Sequence, residues 1–388
     1  MMSPVSREHQ PRPAVPRAGT GAALLVAWLA LGAAIGCVAP SGRASDTATP
    51  ATGSARATLA RGRYLMGTEI EIVVGGLDRE RLIDASERAF DEIARIESVF
   101  TDWRPGGAVW EINERAGGAP IPVAREVIDV LDRANAVSRE TDGAFDVSYR
   151  TVGKLWSFSA ESEGIASDEE LRAALPHVGF TKIAIDRAAS TVRLVDRATQ
   201  IGLGGVAKGY AVDRAVEVLE AAGASEGLVN AGGDLAVFRA PGSSAPPARI
   251  AVRDPDHADS ALAAVAVCNA SVHTSGDYER YFERDGVRYH HLLDPRTGHP
   301  ARGARAVTLV SERDGTRADA LATGLFVMGA ERAIAWVDAH PGFEALAVAP
   351  DGSIRTSRGW GALDAPSAPL ATLARGGRPR VDGCGAPR

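Results

Sequence analysis

The chain has 388 residues, 43 of them Lys or Arg and 49 Asp or Glu, for a formal net charge of −6. At 45% hydrophobic and 24% charged residues it can bury a core, which argues against wholesale disorder and against a polytopic membrane protein. No long run of Lys or Arg offers the phosphate-tracking surface of a general nucleic-acid binder, and three cysteines cannot form a disulfide framework.

The N-terminus carries export signals. Residues 1–20 place Arg7, Arg12 and Arg17 against a single Glu8, and 21–36 is an uncharged apolar run, too short and too weakly hydrophobic for a permanent span. The run ends in Ala34-Ile35-Gly36-Cys37, which resembles a bacterial lipobox. That makes 1–36 a lipoprotein signal peptide and Cys37 the lipidated first residue of the mature chain; an ordinary signal peptide with an incidental Cys37 is the plainer alternative. Residues 37–60, rich in Ala, Ser, Thr, Gly and Pro and without periodicity, read as a flexible tether. The expected location is the periplasmic side of a bacterial membrane, inner or outer, held there by acyl chains on Cys37. Cys268 lies in an apolar run and reads as a buried thiol; Cys384 lies in the tail, and pairing between the two is left open.

The body starts with a strand at 69–74 (EIEIVV). A helix follows from Asp78, with Leu82, Ala89, Ile93, Ile96 and Phe100 on one face. A second amphipathic helix carries Val127, Val130, Leu131, Ala134 and Val137, ending near Gly143. Segments 182–186 and 191–195 form a hairpin, then a glycine-rich turn leads into a helix that stops at Gly223. Strands are expected at 226–230, 248–253, 262–268 and 304–310, a hairpin around Asp285-Gly286, helices at 316–328 and 330–339, and a closing hairpin around Asp351-Gly352. Strands and helices alternate without a βαβ cadence, so the fold class is α+β, a single compact catalytic domain over 61–364 with mixed sheets and flanking helices, followed by a loose tail over 365–388.

Four segments carry candidate chemistry. Gly202-Leu-Gly-Gly-Val-Ala-Lys208-Gly209 sits between a strand and a helix, where exposed N–H groups and a lysine favour an anion such as a phosphate. It lacks the ending of a Walker A loop; it matches G-x-G-x-x-A, so a Rossmann-type dinucleotide loop competes, although no regular βα series follows. Asn230-Ala-Gly-Gly-Asp234 permits close ligand approach and offers a carboxylate, or is a simple turn. Asp319 and Thr323, four apart on a helix, present hard oxygen ligands of the kind Mg²⁺ takes, with helix capping as the alternative. Thr274-Ser275-Gly276-Asp277-Tyr278 precedes Tyr289-His290-His291, where adjacent histidines on a strand point to opposite faces, so one of them enters a site.

In order and spacing these pieces resemble the ApbE family of FAD:protein FMN transferases. The matching stretches are Met66-Gly67-Thr68, Phe100-Thr-Asp-Trp103 with Asn113, Asp142-Gly-Ala-Phe145-Asp146, Gly204-Gly-Val-Ala-Lys208-Gly-Tyr210-Ala-Val-Asp213, Asn230-Ala-Gly-Gly-Asp234, Thr274-Ser-Gly-Asp-Tyr278, His291-Leu-Leu-Asp-Pro-Arg-Thr-Gly298 and Ala318-Asp319-Ala-Leu-Ala-Thr323.

The resemblance implies Mg²⁺ held by Asp319, Thr323 and the carbonyl of Gly205. It implies FAD, as substrate, with its pyrophosphate against Gly202, Gly204 and Lys208. Met66, Trp103, Ala144, Phe145 and Asp146 would line the flavin and ribityl part, and Asp234, Thr274, Ser275, Gly276 and Leu292 complete the binding set. An acceptor hydroxyl attacks the FMN-side phosphorus and AMP leaves, with Lys208 and the metal stabilising charge and His291 activating or orienting the hydroxyl. The acceptor would be a flavoprotein subunit of a membrane redox complex; no nucleic acid is involved. Many relatives carry Asp where this chain has Gly202, and some an acid where it has Ala322. An FAD pyrophosphatase yielding FMN and AMP, and a non-catalytic flavin-binding lipoprotein, are the alternatives.

Overall fold

The structure, a computed structural model, describes residues 58–159, 162–243, 246–257 and 259–362. The expected signal peptide, the lipidation site Cys37, most of the tether and the tail from 365 lie outside these residues. No helix among the described residues is long and apolar enough to cross a membrane.

One eight-stranded sheet organises the body. Its strands follow one another in space as in sequence: β1 (Thr58–Leu65), β2 (Thr68–Gly75), β3 (Glu226–Ala231), β4 (Asp234–Arg239), β5 (Ala270–Gly276), β6 (Ala306–Ser311), β7 (Phe343–Val348) and β8 (Ile354–Thr356). Every neighbouring pair is antiparallel. The α+β class is as expected, and the mixed sheets narrow to antiparallel pairing throughout the described strands. β1 begins at Thr58, so the body starts inside the end of the tether expected to run to residue 60. As an edge strand it alternates inward and outward residues and is held to the first helix by ion pairs from Arg61 and Arg63 to Glu87.

Five helices cover one face of the sheet or lie against that layer: α1 (Arg79–Phe100), α2 (Arg125–Glu140), α3 (Ala207–Ala221), α4 (Gly315–Met328) and α5 (Ala330–Ala339). The Asp78 side chain caps α1 by accepting from the Arg81 N–H at 3.0 Å, and the expected stripe of Leu82, Ala89, Ile93, Ile96 and Phe100 is buried. α4 is buried almost all round, which its small residues Ala318, Ala320, Ala322 and Gly324 permit. On the opposite face the hairpin Ala248–Arg253/Ala261–Val267 packs on Val73, Leu228, Leu235, Val237 and Val272. Both faces of the central strands are therefore covered, and they carry few charges. Cys268 is buried as expected, but it is disulfide-bonded and so is not a free thiol.

Candidate active site

The site begins with a backbone clamp. Asn113 is buried; its Nδ2 donates to the Ile201 carbonyl and its Oδ1 accepts from the Ile201 N–H, both at 2.8 Å. The Gly202 N–H donates to the Val147 carbonyl at 2.8 Å. These bonds fix the entry to the glycine-rich turn, whose Gly204, Gly205 and Lys208 open helix α3.

Helices α3 and α4 then meet through glycine. A Cβ on Gly209 would stand 2.1 Å from the Gly315 carbonyl oxygen, so no side chain fits. The close approach lets the Gly209 N–H donate to Asp319 Oδ2 at 2.9 Å. One turn further along α3, Asp213 accepts from the Gly315 N–H at 2.9 Å, and from the Thr316 N–H and Oγ1 at 2.8 Å, capping α4 together with Asp314.

Thr323 faces the same way as Asp319. Its Oγ1 lies 3.4 Å from Ser275 Oγ and 3.3 Å from where a Cβ on Gly205 would stand. The turn thus meets α4 at the pair singled out from sequence. A carboxylate, a hydroxyl and an adjoining backbone form a hard-oxygen donor set suited to Mg²⁺, which keeps several waters and phosphate oxygens.

Asp234 opens β4 directly opposite His273 on β5. Lys208 forms an ion pair with one Asp234 oxygen, and His273 Nδ1 lies 3.1 Å from the other. One donor atom from each of Asp234, His273 and Asp319 lies within 4.8 Å of the others. Burial opposes ionisation of Asp234, yet Lys208 and His273 hold its carboxyl below the usual range. Burial opposes the Lys208 charge, but Asp234 and Asp319 outweigh it and the ammonium sits above its ordinary value. Burial, reinforced by the Asp234 charge, pushes Asp319 up to about 7. An extra positive charge here is therefore welcome.

Around the mouth, Met66 and Gly67 form the tight β1–β2 turn with φ of 52° and 74°. Arg280 Nη2 reaches the Gly67 carbonyl at 3.5 Å. His291 is partly exposed, with Nδ1 3.3 Å from the Arg280 carbonyl; burial and the nearby Arg280 guanidinium push its imidazole down to about 3. His290 turns inward, Nε2 donating to the Ala301 carbonyl at 2.8 Å, so the adjacent histidines part as expected. Trp103 is 63% exposed, so its ring is not part of the core.

The remaining sequence candidates divide. Ala144, Phe145 and Leu292 are buried, and the Phe145 ring lies 3.2 Å from where a Cβ on Gly205 would stand. Asp146 is turned inward, accepting from the Ser148 N–H and Oγ and the Phe180 N–H at 2.7–2.8 Å. Thr274 points to the other face of the sheet, with Oγ1 2.9 Å from Thr308 Oγ1, and lines a cleft with Gly232, Gly233, Tyr278 and Glu279. Beside Gly202, Asp102 Oδ2 lies 3.3 Å from where a Cβ would stand and pairs with Arg150 Nε at 2.5 Å. Sequence reasoning did not single out Asp102, Arg150, Arg280 or His273. Only His273 left a signal, standing two residues before Ser275 and therefore on the same strand face.

The model of the ApbE family matches residues 66–347. The chain is 33% identical over 322 residues to an FAD:protein FMN transferase of Treponema pallidum, covering 77% of this chain and 89% of the relative. Among solved structures, the ApbE protein of Thermotoga maritima aligns with a TM-score of 0.74 at 34% identity, over 80% of this chain and 100% of that one. The apo form of the Pseudomonas stutzeri flavinyl transferase ApbE aligns with a TM-score of 0.69 at 28% identity, over 79% and 97%. The glycine contact between α3 and α4, with the donors it gathers, thus stands in a chain that belongs to the ApbE family.

Proposed function

We propose that the protein is a transferase that moves the FMN moiety of FAD onto a Ser or Thr hydroxyl of an acceptor protein and releases AMP. The observation that carries this reading is the convergence of Asp319, Thr323 and Gly205 beside Lys208 and the first turn of α3, supported by the names of the relatives. Asp319, Thr323 and the Gly205 carbonyl would hold a divalent cation, Mg²⁺ by their chemistry, which when bound neutralises charge on the pyrophosphate.

The chain's own groups account for the rest. N–H groups at the start of α3 and the Lys208 ammonium face the phosphates. The acceptor hydroxyl oxygen forms a bond to the FMN-side phosphorus, the bond from that phosphorus to the bridging oxygen breaks, and AMP leaves with that oxygen. His291 Nε2 accepts a hydrogen bond from the acceptor hydroxyl and aims its oxygen at the phosphorus, with Nδ1 3.3 Å from the Arg280 carbonyl holding the ring, and the hydroxyl proton is lost to solvent water as the new bond forms. Trp103 offers a ring face and Met66 an apolar edge to the isoalloxazine.

The expected anchor at Cys37 would keep this chemistry on the periplasmic side of a membrane, facing subunits of membrane redox complexes; the signal-like composition of 1–36 supports that location. Water in place of the acceptor hydroxyl would make the same site a pyrophosphatase. Incubation with FAD, Mg²⁺ and a flavin-accepting membrane subunit separates the two: AMP formed one-for-one with protein-bound flavin supports the transferase, and AMP formed one-for-one with free FMN overturns it.

A further inference from the structure

We propose that Arg150, held in place by Asp102, binds the phosphate on the FMN side of FAD, so that the pair helps the site select a flavin nucleotide. The inference rests on the reading of the glycine-rich turn as a phosphate site. It goes beyond that reading in naming a side chain, its positioning partner and the half of the substrate they serve.

Gly202 does not lie in the left-handed region, so no backbone strain calls for glycine there, and space decides what fits. A Cβ at that position would stand 3.3 Å from Arg150 Cβ, 3.4 Å from Arg150 Cδ and 3.3 Å from Asp102 Oδ2. The bare turn thus makes room for the pair, in which Arg150 Nε donates to Asp102 Oδ2 at 2.5 Å. The Asp102 side chain is 14% exposed and that of Arg150 29%, so the carboxylate is the shielded partner and the guanidinium the more open one. A guanidinium carries five N–H donors in a fixed fork. Arg150 engages Asp102 through Nε, and its two terminal nitrogens have no hydrogen-bond partner among the described residues. A fork anchored at one edge and open at the other suits the paired oxygens of a phosphate.

The surroundings place that open edge on the flavin side of the turn. Arg150 crosses Gly202, two residues before Gly204. The Tyr149 hydroxyl oxygen lies 3.4 Å from where a Cβ on Gly204 would stand. Burial pushes the Tyr149 phenol up; the Asp102 charge adds to this and the Arg150 and Arg280 guanidinium groups oppose it, so both arginines stand near the turn. Asp102 is followed directly by the exposed Trp103, the ring read as facing the isoalloxazine. Lys208 opens α3 past the far end of the turn, where it is paired with Asp234.

The test titrates the purified chain, freed of divalent ions by chelation, with FMN, riboflavin and AMP, following flavin fluorescence for the first two and heat for the third. FMN should bind at least about tenfold tighter than riboflavin, because only FMN carries the phosphate. Arg150→Gln should weaken FMN about tenfold, the size of a lost hydrogen bond to a charged group, and should shift riboflavin and AMP by less than about twofold. Asp102→Asn should weaken FMN in the wild-type background and add nothing in the Arg150→Gln background, since it acts through Arg150. Equal affinity of the wild type for FMN and riboflavin overturns the proposal even if a variant fails to fold. Unchanged FMN affinity in Arg150→Gln, or an equal loss of riboflavin or AMP affinity, overturns it as well, and additive effects of the two substitutions overturn the positioning role of Asp102. Titration with FAD separates the premise. A chain that binds neither FAD nor FMN defeats the reading of the turn, whereas FAD affinity unaltered by Arg150→Gln defeats only the role of Arg150.

Discussion

Gly209 and Gly315 touch backbone to backbone, and that contact sets the distance between the phosphate-binding turn and the cation-binding helix. With a Cβ on Gly209 only 2.1 Å from the Gly315 carbonyl oxygen, even alanine forces α3 and α4 apart, and the 2.9 Å bond from the Gly209 N–H to Asp319 cannot survive. Gly209→Ala should therefore cost about 2 kcal/mol or more of stability, as overpacking does, and should weaken cation binding as well. Thermal unfolding and a Mg²⁺ titration check both effects; loss of stability with unaltered cation affinity would show that the helix contact does not position Asp319.

Asn113 lies in the short helix Ala108–Glu114, away from any proposed ligand contact, yet it holds both backbone groups of Ile201. Asn113→Ala leaves a buried N–H and a buried carbonyl unpaired, at a cost of about 3 kcal/mol. Because Ile201 leads into the glycine-rich turn, the KM for FAD should rise more than kcat falls. Chemical denaturation and steady-state kinetics read the two consequences separately.

Helix α1 is legible from the sequence because its apolar residues repeat with helical spacing and Asp78 is a ready cap, and the Asp319/Thr323 pair is legible because four residues make one turn. Strand β5 (ASVHTSG) is not, since its residues show no sustained apolar alternation and no strand is expected there; the sheet shows that 273 and 275 turn toward α4 while 274 turns away. The roles of Asp102 and Arg280 depend on contacts 48 residues away at Arg150 and 213 residues away at Gly67, which no local pattern encodes.

Trp103 should be nearly silent for stability and important for substrate. At 63% exposure its removal in Trp103→Ala should change stability by no more than about 0.5 kcal/mol. Loss of a stacked ring, worth about 1 kcal/mol, should raise the KM for FAD roughly fivefold. An unchanged KM would take Trp103 out of the flavin site.

The His291 imidazole, pushed down to about 3, is neutral across the working range and becomes charged only in strong acid. At saturating Mg²⁺, where Asp319 is kept ionised by the cation, the acid limb of kcat/KM should thus lie below about pH 5. A limb near pH 6.5 that does not move with cation concentration and vanishes in His291→Gln would show that His291 titrates as an ordinary histidine.

The central claim is that the Asp319 site transfers FMN. The most direct measurement is in-gel fluorescence of an acceptor subunit after incubation with FAD and Mg²⁺, comparing the wild-type chain with Asp319→Ala at equal folded concentration. The account predicts a fluorescent acceptor band with the wild type and none above background with the variant, because a threonine hydroxyl alone is a poor ligand for the cation. Equal labelling of the acceptor by both proteins would contradict it.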